Sequence, residues 1–339
     1  GGTQRCAGTN RKVDRGHDLS MYSRIIGTGK YLPDRVLGNL DLEKTLNTSD
    51  EWIRSRTGIE QRHIAAENQA TSDLAYEAAR IAIGDAGLSP HDIDLILVGT
   101  ATPDLVFPNV ACLVQKKLGI KGAAAFSLEA ACSGFVYALN IADHFIRSGQ
   151  VSRALVIGAE CMSRIVDWTD RETCVLFGDG AGAVVLEKGD KPGIIGSKLA
   201  ADGSRCDLLR ASTGLTDTEN KGEPPIIQMK GNEVFKLAVK TLGSIVDEIL
   251  EENQLTKDAI DWLVPHQANF RIIQATAKRL DMPMERVVLT VQDHGNTSAA
   301  SVPMALDTAI RDGRIQRGHL LLLEAFGGGF TWGANLVRF

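Results

Sequence analysis

"IRSGQVSRALVIGAE" (146–160) and "IRDGRIQRGHLLLLEA" (310–325) are two versions of one pattern. Ile146/Ile310, Arg147/Arg311, Gly149/Gly313 and Arg153/Arg317 match at one constant offset. Each segment reads as a helix end, a glycine stop and an apolar strand. A second pair, "GLSPHDIDLILV" (87–98) and "QLTKDAIDWLV" (254–264), shares Leu, Ser/Thr, a polar stretch, Ile-Asp and a strand. Two matches in the same order favour internal duplication over chance. The expectation is an α/β protein with an N-terminal half, 21–190, and a similar C-terminal half, 191–339, packed together. The offset of the first pair carries Cys132 onto Asn296, so these two would begin equivalent helices facing the interface.

The rest of the chain fits that frame. Strands are expected at 95–98, 154–157, 183–186, 262–264 and 320–323, alternating with helices at 71–86, 109–118, 133–148, 232–252, 269–280 and 297–312. With 339 residues and 44% hydrophobic content, the chain can bury a large core. No apolar run reaches membrane-spanning length. A net charge of −5 argues against general nucleic-acid binding. Six cysteines (6, 112, 132, 161, 174 and 206) form no C-x-x-C pair and no zinc pattern, which suits free thiols in a reducing cytoplasm. Residues 1–20 are polar and Gly-rich and lack a signal-peptide core; they are expected to be a disordered leader or expression scar, with the native start at Met21.

Three segments could carry chemistry. "EAACSGF" (129–135) places Cys132 on a tight strand-to-helix turn among small residues. Taken alone, a cysteine is more often a small buried hydrophobe, as Cys112, Cys161 and Cys174 are expected to be. A thiol at a helix N-terminus, however, is expected to have a lowered pKa. "LVPHQAN" (263–269) sets His266 directly after a strand, with Asn269 as a helix cap. In "DHGNTSAAS" (293–301), Asn296 taken alone reads as a turn or cap residue, and His294 as structural. "FGDGAGAVVLE" (177–187) mimics a phosphate loop but leads into a strand, so it is read as a turn. The three glycines of "EAFGGGFTWGANLVRF" (324–339) allow close approach of backbone to a ligand and offer N–H groups for an oxyanion.

Together, "EAACSGF", "GDGAG", "PHQAN", "HGNTSAAS", "FGGGFTWG" and "DEWIRSRTGIEQRH" (50–63) closely resemble the β-ketoacyl-acyl carrier protein synthase III family, the initiating condensing enzymes of bacterial fatty-acid synthesis in the thiolase superfamily. The resemblance runs from about Met21 to Phe339. It implies a thiolase-like duplicated five-layered αβαβα fold. It also implies a catalytic set of Cys132, His266 and Asn296, with Cys132 and Gly328 amides forming the oxyanion hole. CoA would bind at Trp52, Arg56, Thr57, Arg171, Met229, Gly231 and Phe235, its adenine between Trp52 and Arg171. Phe107, Phe177, Leu209 and Phe326 would shape the acyl pocket, Phe107 coming from the second subunit of a homodimer. Arg271, Lys236, Lys240, Lys278 and Arg279 would dock an acidic carrier protein. No metal or cofactor is implied: the acyl-CoA is itself a substrate, with malonyl-acyl carrier protein as the second. A condensing enzyme with a longer or aromatic starter, a cysteine thioester hydrolase and a non-catalytic carrier-binding protein are the alternatives.

Overall fold

The computed structural model describes residues 21–212, 222 and 224–339; the expected leader, with Cys6, lies outside them. Two sheets form the frame. The first has five strands in the order Tyr22–Tyr31, Asp179–Gly189, Arg153–Cys161, Leu95–Gly99 and Ala124–Leu128. The second has four, in the order Trp262–Pro265, Leu320–Gly327, Thr331–Arg338 and Ile194–Ala201. Strands Leu95–Gly99 and Arg153–Cys161 run parallel, as do Trp262–Pro265 and Leu320–Gly327, and in each sheet an antiparallel partner follows.

Period-two alternation then assigns the layers. Leu95 and Leu97 join a core with Leu321, Leu323 and the helices Gly134–Arg147 and Ser301–Arg311, which lie between the sheets. Ile96 and Val98 point the other way, onto the helices Thr71–Asp85 and Val110–Leu118. Leu263 and Leu322 likewise meet Gly231–Glu252 and Phe270–Arg279. The result is helix, sheet, helix, sheet, helix: five layers, as the resemblance implied.

The duplication extends to backbone detail. Gly149 and Gly313 stop equivalent helices at φ +77° and +83°. Ala131 and Gly295, one residue before Cys132 and Asn296, are also left-handed, at +44° and +65°.

One expectation is corrected. Gly180 and Gly182 of "GDGAG" belong to the strand Asp179–Gly189 rather than to a turn, with Gly178 just before it. They are small because a helix lies on them: a Cβ on Gly182 would sit 2.6 Å from the Met304 nitrogen.

Candidate active site

Cys132 and His266 follow the strands Ala124–Leu128 and Trp262–Pro265, Asn296 follows the short helix Val291–His294, and all three are buried, at 7%, 3% and 6% exposure. Cys132 occupies a single 3-10 turn, Ala131–Ser133, between the strand Ala124–Leu128 and the helix Gly134–Arg147. The glycine run 327–329 packs against that turn: a Cβ on Gly327 would come within 2.6 Å of the Cys132 nitrogen. Only glycine permits this approach, which sets Gly328 beside the nucleophile's turn.

His266 follows the strand Trp262–Pro265 and donates its backbone N–H to Glu324 O at 2.8 Å. Its Nδ1 lies 2.6 Å from Ser301 Oγ, which also accepts the Gln267 N–H at 3.3 Å. A serine proton directed to Nδ1 leaves the Nε2–H as the imidazole's donor. Burial pushes His266 down to about 3, so the ring is neutral at physiological pH. Phe326 packs edge-on against it with centroids 5.9 Å apart.

Asn296 pairs with Phe177 in an isolated parallel bridge, its N–H donating to Leu176 O at 2.8 Å. Its Oδ1 accepts the Ser298 N–H at 2.9 Å. That cap bond fixes the amide so that Nδ2 is the end offered to a ligand. The turn reading of Asn296 holds: its oxygen accepts a capping bond, which leaves its Nδ2 outside that bond.

The expected lowering of the Cys132 pKa is not met. Burial pushes the thiol up to about 12, and the nearby Glu160 charge adds to this, against an opposing hydrogen bond from Ser298. Desolvation of a fully enclosed thiolate outweighs the helix N-terminus.

Several residues at the site were not singled out by sequence. Ser298 and Ser301 contact Cys132 and His266 respectively, so residues 296–301 touch all three candidates. The quoted motif contained both serines, and only the fold shows which side chains they meet. Glu160 is fully buried under this segment and Glu324 beside His266. Arg62 is fully buried too, held down to about 10 by burial. It donates to Val175 O at 2.7 Å, bracing the 175–178 segment that pairs with Asn296.

Of the other expected residues, Leu209, Met229, Phe235 and Phe326 gather in one apolar cluster, while Phe177 packs in a neighbouring core beside Leu209 and Met229. Gly231 begins the helix Gly231–Glu252 next to Met229. Arg171 lies 4.8 Å from the Trp52 ring centroid and Arg56 5.8 Å. An adenine between Trp52 and Arg171 therefore requires this stack to part. The Thr57 hydroxyl donates to Ile53 O and accepts from Ile59 N, closing the helix end. Phe107, with Leu105 and Val106, is exposed rather than part of this chain's own pocket.

Arg271, Lys278, Lys236 and Lys240 are exposed, and Arg271 stacks on Phe235. Beside Arg271 and Lys278 runs an open groove of about 900 Å³ that includes Phe235, Gln274 and Met284. Arg279 is different: it crosses the neighbouring helix over Gly243 and pairs with Asp247 at 3.7 Å. Among the described residues, no group of three or more His, Cys, Asp or Glu could hold a metal ion.

Comparison with known proteins agrees with this geometry. Residues 126–203 match the model of the 3-oxoacyl-[acyl-carrier-protein] synthase III family and residues 250–339 that of its C-terminal part. The chain is 63% identical to the β-ketoacyl-[acyl-carrier-protein] synthase III of Alkalilimnicola ehrlichii and 61% identical to that of Xanthomonas campestris pv. campestris. Each alignment spans 94% of this chain and 99% of the relative. The crystal structure of the Aquifex aeolicus 3-oxoacyl-[acyl-carrier-protein] synthase III superposes with a TM-score of 0.89 at 50% identity, over 94% of this chain and all of that one. With matches of this extent, the chain belongs to the 3-oxoacyl-[acyl-carrier-protein] synthase III family.

Proposed function

We propose that Cys132, His266 and Asn296 divide the family's decarboxylative condensation between them. The protein is an acyltransferase that joins an acyl-CoA to malonyl-acyl carrier protein, releasing CoA and CO₂ and giving the 3-oxoacyl-acyl carrier protein that starts fatty-acid synthesis. Acetyl-CoA is the proposed starter. The observation that carries the assignment is segment 296–301, which touches the thiol and the imidazole and supplies the amide.

Cys132 sulfur attacks the thioester carbonyl, and the amides of Cys132 and Gly328 receive the oxyanion. CoA leaves and the acyl group stays on sulfur. When malonyl-acyl carrier protein loses CO₂, charge moves onto its thioester oxygen. His266 Nε2–H and Asn296 Nδ2–H are neutral donors suited to that oxygen, because neither gives up its proton near pH 7. The carbanion then attacks the acyl-cysteine.

The acyl-CoA enters past Trp52, Arg56 and Arg171 and along Met229, Gly231 and Phe235, with Phe177, Leu209 and Phe326 around the acyl end. Arg271, Lys236, Lys240, Lys278 and Arg279 form the proposed carrier-docking face, Arg279 also pairing with Asp247 at 3.7 Å. The exposed apolar tip at Leu105, Val106 and Phe107 supports a homodimer in which Phe107 closes the partner's pocket. Five described free cysteines support a cytoplasmic setting. No helix among the described residues is long and apolar enough to cross a membrane.

The test mixes the protein with labelled acetyl-CoA and malonyl-acyl carrier protein and identifies the product by mass. A 3-oxoacyl product with transient acetylation of the Cys132 peptide is expected. Release of free acetate without a new carbon–carbon bond would overturn the reading.

A further inference from the structure

The resting site poses a proton problem. Cys132 is a buried thiol, yet the attacking species is the thiolate. His266 Nδ1 is engaged with Ser301 Oγ at 2.6 Å, and the condensation step needs a hydrogen on Nε2. A different acceptor is in contact. The turn Ser298–Ala300 packs on the turn Ala131–Ser133 that carries Cys132, and Ser298 donates its own hydroxyl proton to Glu160 Oε1 at 3.0 Å. Since a serine hydroxyl has one proton and that proton points at Glu160, its oxygen is free to accept from the thiol.

Glu160 is built for this place. It sits at the end of the strand Arg153–Cys161, at 0% exposure, and accepts from Thr100 Oγ1 (3.1 Å), Thr102 Oγ1 (2.5 Å) and the Ala101 N–H (3.1 Å). Those donors hold a carboxylate in an enclosed site, and each would be wasted on an apolar residue.

We propose that Ser298 and Glu160 form a proton relay serving the acylation step, a reading that rests on Cys132 as the nucleophile. As sulfur attacks the acyl carbon, the thiol proton passes to Ser298 Oγ and the serine's original proton passes to the Glu160 carboxylate. When the tetrahedral intermediate collapses, the carbon–sulfur bond to CoA breaks and the CoA thiolate leaves beside the acylated Cys132 sulfur. The relay runs backwards, Glu160 returning a proton through Ser298 to the CoA sulfur. Glu160 ends ionised, Cys132 acylated and CoA protonated, with no proton gained or lost. Ser298 touches the reacting sulfur; Glu160 acts through it.

Burial raises Glu160 to about 7 against its four hydrogen bonds, a value suited to taking and returning a proton near neutrality. The groups facing it are the three hydroxyls, the Ala101 amide and the thiols of Cys132 and Cys161; Glu129 also acts on Cys132 and accepts the Ala131 N–H. Acetylation should therefore rise with pH through about 7 and level off.

Single-turnover acetylation by acetyl-CoA, followed by intact mass across pH, tests the relay. Glu160→Gln should slow acetylation by about 10²-fold, abolish the plateau and leave the rate climbing with pH as the thiol ionises unaided. Glu160→Asp should restore the limb near neutrality. Ser298→Ala, which leaves the other Glu160 bonds in place, should reproduce the Glu160→Gln profile. Condensation by each variant after full acetylation should stay within a few-fold of wild type. Equal losses in both half-reactions, or a Glu160→Gln acetylation profile that overlays wild type, would overturn the relay. Acetylation away from Cys132 would instead sink the nucleophile assignment beneath it.

Discussion

The N-terminal and C-terminal halves use the same frame for different chemistry. In each, a positive-φ residue and a 3-10 turn lead into a central helix, and the next strand carries a buried glutamate. At the turn, the first half places Cys132 and the second Asn296. At the glutamate, Glu160 accepts four hydrogen bonds, whereas neither oxygen of Glu324 has a partner among the described residues. Burial raises Glu324 to about 8, so it is held mostly as the neutral acid at pH 7. Duplication thus supplied two equivalent stations. On the proposed roles, one station carries a nucleophile with an ionisable glutamate in its half, and the other a neutral donor with a largely neutral glutamate in its own.

Removing each half's special residue should break the comparison most. Cys132→Ser should abolish acetylation, a loss of at least about 10³-fold, and with it all turnover; normal turnover by this variant would remove the first half's role. Asn296→Ala should slow condensation by about 10²–10³-fold, the cost of one oxyanion donor.

A smaller effect separates the two glutamates. A carboxyl raised to about 8 in the folded state binds its proton more tightly there than in the unfolded chain. Stability therefore falls as pH climbs from the ordinary carboxylate range toward 8. Relative to Glu324→Gln, the wild type should lose roughly 2–3 kcal/mol between about pH 5.5 and 7.5, since a proton-binding difference of one is worth about 1.4 kcal/mol per pH unit. Denaturant unfolding of both proteins across pH reads the difference, because other titrating groups are common to the two. Parallel curves would show that Glu324 is solvated.

Smallest are the backbone contrasts. Gly295→Ala forces a Cβ into left-handed backbone, 3.0 Å from Leu176 O and 3.1 Å from the Arg62 Cβ, and should cost about 1–2 kcal/mol. Ala131→Gly relieves the same conformation and should change stability by less than about 1 kcal/mol, in the stabilising direction. Thermal unfolding that ranks the two the other way would undo the equivalence of the turns.

The comparison also explains what could be read from sequence. The repeats and the 2.0 and 3.6 periodicities exposed the layers, because burial of a shared core acts on every turn and strand. Helix ends shifted by up to four residues: the expected helix 297–312 runs as Ser301–Arg311 after one 3-10 turn. Motifs identified Cys132, His266 and Asn296. What they could not convey is proximity between distant segments. Ser298 meets Glu160 across 138 positions, and no local pattern records that. The same blindness hid the desolvation of Cys132, since a motif displays the helix N-terminus but not the enclosure around it. Glu160 and Glu324 stood at matching places in the opening repeats, yet a glutamate after an apolar strand carries no signal of burial.

The division of labour between the halves is tested most directly with Asn296→Ala, by timing two events in one experiment: acetylation of Cys132 by acetyl-CoA, then transfer to malonyl-acyl carrier protein. The account expects acetylation close to the wild-type rate and condensation slower by about 10²–10³-fold. Acetylation slowed as much as condensation would contradict it, because the two stations would then be one.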